Sequence, residues 1–127
     1  MKVLIGLMGL MVLIEGTWLF QNKPLEQSIA DGKEIYQDFC LQCHLDTGKG
    51  VSGVFPPLAQ SDYLLNDLDL SIKGIKYGMS GPITVNGEEY NGVMQNQGLD
   101  DVEIADVMNY VINLSLIHIS EPTRRYS

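Results

Sequence analysis

Apolar and polar positions along this 127-residue chain fall into blocks of different period. After Met1 and Lys2 comes an unbroken apolar run from Val3 to Ile14, closed by Glu15 and followed by Trp18, Leu19 and Phe20. From Leu25 to Phe39, Ile29, Gly32 and Tyr36, with Ile35 and Phe39, recur at three- and four-residue steps, which predicts a helix with one buried face. Gly32 inside that helix costs about 1 kcal/mol relative to alanine, so it calls for a packing reason. Leu45 to Phe55, with Gly48, Gly50 and Gly53, reads as a loop. Ser61 can cap a short helical segment to Leu65. A second helix is predicted from Leu70 to Tyr77, stopping at Gly78, with Ile72 and Ile75 inward and Lys73 and Lys76 outward. Asn86-Gly87 between Ile83 and Tyr90 predicts a hairpin, because both turn residues favour positive φ. The last helix opens on Asp100, with Glu103 three residues later as a capping-box partner. Ile104, Val107, Met108 and Val111 form its apolar stripe.

The two ends differ from this middle. The first apolar run has a basic flank of one lysine and no Ala-x-Ala cleavage site, and Val3 to Phe20 approaches a bilayer-spanning length. Residues 1–23 are therefore expected to be a signal peptide or an N-terminal membrane anchor, with a possible membrane tether through residues 3–20. The segment from Leu114 to Arg124 breaks the style of what precedes it and resembles the in-frame translation of a transposon-derived sequencing adapter. One domain over 24–113, followed by a non-native tail over 114–127, is the expected organisation.

Charge narrows the partners. From Pro24 to Asn113 there are fourteen Asp and Glu against four lysines, a net of ten negative charges. Nucleic acid is excluded as a partner, since its binding relies on phosphate neutralisation by Lys and Arg.

The candidate chemistry sits at Cys40-Leu41-Gln42-Cys43-His44. Two thiols three positions apart can each form a thioether with one haem vinyl, and the adjoining histidine reaches the iron. A thioredoxin-like redox pair would want a βαβ surrounding, which the flanks lack. A structural zinc site needs four ligands, and His118 is the only further Cys or His. Thr47-Gly48-Lys49-Gly50 lacks the order of a phosphate loop. The pentapeptide is read as a covalent attachment site for one haem c.

Gly32 and Tyr36 before the pentapeptide, Pro56 and Leu58 after it, Tyr90-Asn91-Gly92-Val93-Met94, and Asp106-Val107-Met108-Asn109-Tyr110 occur in the order seen in class I cytochromes c. The chain resembles the bacterial, mono-haem type of that family from about Leu25 to Asn113. The resemblance implies a small all-α fold around one covalent haem, with a short β-hairpin before a distal methionine loop. It implies cofactor-binding roles for Cys40, Cys43, His44, Pro56, Leu58 and Met94, with His44 and Met94 on the iron. The Pro56 carbonyl would receive the second ring N–H of His44. Gly32 would let the first and last helices cross closely, and Tyr110 would pack near Gly32 and Tyr36. Met79, in a turn before the hairpin, and Met108, on the last helix, are the other sulfur candidates. Gln95 stands where many relatives place proline.

A one-electron carrier that is not itself an enzyme is the expected function, passing electrons between respiratory partners. Its place would be the periplasm or the outer face of the bacterial cytoplasmic membrane. Membrane respiratory complexes or a periplasmic reductase would be its partners. The alternative is the haem subunit of a larger oxidoreductase, such as a nitrite reductase or terminal oxidase, and after that a haem-based sensor.

Overall fold

The computed structural model describes residues 23–119. The expected leader or anchor falls outside the described residues, apart from Lys23. Among the described residues no helix is long and apolar enough to cross a membrane.

Among the described residues five helices and one hairpin follow in order: α1 (Leu25–Phe39), α2 (Leu41–His44), α3 (Asp62–Asn66), α4 (Leu68–Tyr77), β1 (Met79–Val85), β2 (Glu88–Met94) and α5 (Asp101–Ile119). The fold is all-α with a small antiparallel hairpin, as the sequence pattern predicts. The contact between α1 and α5 is the most extensive between helices. It is made close by Gly32: a Cβ there would stand 2.0 Å from the Asp106 carbonyl oxygen and 3.0 Å from Tyr110 Cβ. Tyr36 and Tyr110 then meet at 5.2 Å between ring centroids, tilted by 59°. Tyr36, Leu64, Ile104, Val107, Met108, Val111 and Leu114 form the buried core.

A polar cluster pins the same crossing. Asp106 is buried, yet its carboxylate accepts from Ser28 Oγ at 2.6 Å and from Lys23 Nζ at 2.5 Å. Asn109 Nδ2 in turn donates to Ser28 Oγ at 2.9 Å. Both oxygens of the buried carboxylate thereby gain a partner, which is what its burial requires.

Helix ends follow local chemistry. Asp100 Oδ1 accepts from the Glu103 backbone N–H, and Glu103 Oε2 accepts from that of Asp100, both at 2.9 Å. Ser61 Oγ accepts from Leu64 N at 3.2 Å and caps α3. The α4 helix starts at Leu68 rather than Leu70, because the Asp67 side chain accepts from Leu70 N at 2.9 Å and caps it earlier. Its inward face is also rotated from expectation. Gly74 is buried and Ile75 half-buried, while Ile72 is 37% exposed.

The hairpin is longer than Ile83 to Tyr90. Its strands pair from Val85↔Glu88 at the turn to Met79↔Met94 at the open end. Asn86 (φ 51°) and Gly87 (φ 81°) make the turn. Asn86 also locks onto α3: Asp62 N donates to Asn86 Oδ1 at 2.9 Å, and Asn86 N to Asp62 Oδ1 at 2.7 Å. Met79 thus lies in a strand, not in a turn.

The packing does not stop at Asn113. Leu114 and Ser115 are buried on α5, and Ser115 Oγ accepts from Gln60 N at 3.0 Å. The packing of the helix therefore runs two residues past the boundary expected at Asn113.

Candidate functional site

Between Phe39 and Leu45 the chain leaves α1 and turns once more as α2. His44 N donates to Cys40 O at 2.9 Å, so Cys40, Cys43 and His44 lie on one helical turn. Leu45 then takes a positive φ of 63°, an uncommon conformation for a non-glycine residue. Its carbonyl accepts the Tyr36 hydroxyl at 2.6 Å, which ties the end of the turn to the α1–α5 crossing.

His44 is buried, and its Nδ1 lies 2.8 Å from the Pro56 carbonyl oxygen. A carbonyl can only accept, so the proton of the neutral ring is on Nδ1 and the Nε2 lone pair is left available. Burial lowers the His44 pKa, against the opposing effect of the Pro56 bond, and so favours the neutral form that a metal requires. Gly50 sets the carbonyl in place. Its N–H donates to His44 O at 3.0 Å, and a Cβ on it would stand 2.2 Å from Phe55 O and 2.7 Å from Pro56 O.

Cys40 and Cys43 are free thiols, both half-buried. Burial, and then the neighbouring Cys43, push the Cys40 pKa up to about 11. A redox dithiol needs the opposite shift, toward thiolate, so the thioredoxin-like reading finds no support here.

All three residues line a cavity of about 410 Å³. Phe39, Ile75, Ile83, Val93 and Leu99 give it an apolar wall, and Met79 and Met94 both border it. Leu58 is half-buried and packs on the core instead, bordering a smaller apolar cavity beside the first. The structure thus brings Cys40, Cys43, His44, Pro56 and Met94 to one cavity and sets Leu58 behind it. Met108 is buried on α5, in the core and beside the smaller cavity.

Two elements of the site were not foreseen. Gly78 (φ 78°) supports the Met94 loop from below, since a Cβ there would stand 2.9 Å from Met94 O and 3.0 Å from Asn96 N. Glu88 holds the hairpin to the 45–55 loop: it accepts from Ser52 Oγ at 2.5 Å and from the Tyr90 hydroxyl at 2.9 Å. A glycine directly after a helix signals only a stop, and Ser52 and Glu88 are too far apart in sequence to be paired by inspection.

A small helical domain with a thiol pair, a buried neutral imidazole and a thioether at one apolar cavity defines a haem-binding class. The family model for cytochrome c matches residues 29–115. The chain is 41% identical over 87 residues to a cytochrome c-552 of Thermus thermophilus, covering 65% of this chain and 66% of that protein. A second Thermus thermophilus cytochrome c-552 matches at the same identity over 58% of its length. The chain thus spans two thirds or less of these curated relatives. It is also 35% identical over 101 residues to the cbb3-type cytochrome c oxidase subunit FixP of Bradyrhizobium diazoefficiens, over 76% of this chain and 32% of that subunit. A 30% match over 83 residues links it to the cytochrome c subunit of a quinone alcohol dehydrogenase from Gluconobacter oxydans, 17% of that subunit's length.

The chain belongs to the cytochrome c family. Its cofactor is covalently bound haem c. The residues fit that group on this structure's own terms: paired free thiols, an imidazole with its lone pair exposed to the cavity side, and an apolar wall.

Proposed function

We propose that this protein carries single electrons between redox proteins. Cys40 and Cys43 would form the two thioethers, and His44 Nε2 and Met94 Sδ would hold the iron. When bound, the haem supplies a metal that changes oxidation state by one electron, and thioether ligation favours the reduced form. The bond from His44 Nδ1 to Pro56 O at 2.8 Å carries the reading, because it aims Nε2 and raises its basicity. Gly50 keeps the Pro56 carbonyl in range. Phe39, Ile75, Ile83 and Leu99 give the site its apolar wall, and Gly78 steadies the Met94 backbone.

With His44 and Met94 both committed to the iron, the chain would leave it no position for substrate, which supports a carrier rather than an enzyme. Its partners are redox proteins, either membrane respiratory complexes or a periplasmic reductase. Its location is the periplasm or the outer face of the cytoplasmic membrane. A second reading, the haem subunit of a larger oxidoreductase, is supported by relatives named as subunits of an oxidase and a dehydrogenase. The test is a spectroelectrochemical titration with carbon monoxide added to the ferrous protein. A reversible one-electron transition without carbon monoxide binding supports the carrier. Ready binding to the resting ferrous form would place the protein among sensors, and a stable complex at physiological salt would favour the subunit.

A further inference from the structure

Met79 and Met94 are directly opposite partners at the open end of the hairpin. Opposed residues of an antiparallel pair project to the same face. Both side chains border the cavity that also holds Cys40, Cys43 and His44. The Met79 thioether rests against α4 at its one buried residue, Gly74, where an added Cβ would stand 3.1 Å from Sδ. Glycine at that position is what gives the sulfur a seat beside the cavity. Met79 itself stands between Gly78 and Gly81, with φ of 78° and 94°. An unbranched side chain with a polarizable sulfur can leave such a seat by bond rotation alone.

We propose that Met79 is a second axial thioether of the same site, seated on Gly74 while Met94 holds the iron and taking its place when Met94 is withdrawn. This rests on Met94 as the resident ligand. The exchange swaps one sulfur lone pair for another at one metal, so no electron or proton is gained or lost. Its consequence is a sixth position that stays closed to small exogenous ligands through loss of either methionine.

The experiment compares haem-loaded Met79→Leu, Met94→Leu and the double variant, using leucine because it conserves volume. The readouts are the near-infrared sulfur-to-iron band of the ferric form and carbon monoxide binding to the ferrous form. Met79→Leu should keep the band unchanged. Met94→Leu should retain a band at a shifted position, and the double variant should have none. If Met79 occupies the position nine-tenths of the time, Met94→Leu should bind carbon monoxide about tenfold more weakly than the double variant. Loss of the band in Met94→Leu, with carbon monoxide binding equal to the double variant, overturns the exchange and leaves Met94 standing as ligand. Loss of the band in Met79→Leu overturns Met94 as resident ligand and the exchange with it. Met94→Ala is read by the same criteria should the leucine variant fail to fold.

Discussion

The Asp106 carbonyl oxygen lies 2.0 Å from the point where Gly32 would carry a Cβ. That contact sets how closely α1 and α5 cross, and with it the tilted packing of Tyr36 against Tyr110. Because the opposing atom is backbone, a methyl group cannot be accommodated by a rotamer change. Gly32→Ala should destabilise the haem-loaded protein by about 3 kcal/mol, the upper end of overpacking costs. Guanidinium unfolding measures this, and a change within error would show that the helices can slide apart freely.

Gly78 is the second glycine with a defined task. Its positive φ and its closeness to Met94 O and Asn96 N both oppose a side chain. Gly78→Ala should shift the near-infrared sulfur-to-iron band of the ferric form, with far-ultraviolet circular dichroism unchanged. An unaltered band would show that the Met94 loop is positioned from elsewhere.

Glu88 predicts an acid-side pH dependence. The Ser52 hydroxyl, and then that of Tyr90, hold its carboxylate pKa below the ordinary value of 4.5. The folded pKa lies below the unfolded one, so the stabilisation is present above pH 4.5 and is lost as pH falls through the folded pKa. Unfolding midpoints of wild type and Glu88→Gln should therefore differ at neutral pH and converge in acid. A constant gap across the range would assign the effect to packing.

Much of this was legible because it is local. Cys40-x-x-Cys43-His44 announces its chemistry by spacing, Asn86-Gly87 by its φ preference, and Asp100 with Glu103 by reciprocal capping. What escaped depends on distant partners. Gly81 and Pro82 made the stretch after α4 look like a turn, yet pairing with Gly92 and Asn91 makes it a strand. The face of α4 was misjudged at Ile72 because Gly74, with no apolar side chain, faces inward to receive Met79. Asp106 carried no signal of burial in the sequence, but the crossing at Gly32 buries it against Ser28 and Lys23. The boundary at Asn113 was drawn on sequence style, while burial follows the helix into Ser115.

The acidic surface makes a kinetic prediction. With ten net negative charges between Pro24 and Asn113, association with a basic redox partner should slow as salt rises. Screening at about 0.15 M already shortens electrostatic reach to about 8 Å. Stopped-flow rates that stay flat across ionic strength would instead indicate docking through apolar contact.

Covalent attachment through Cys40 and Cys43 is the claim on which the rest depends, and it is tested most directly on denatured, haem-loaded protein. Acid–acetone extraction should leave the haem on the chain, and the pyridine haemochrome should be of the two-thioether type, shifting to a one-thioether spectrum in Cys40→Ala. Haem recovered in the organic phase from the wild-type chain would contradict the account.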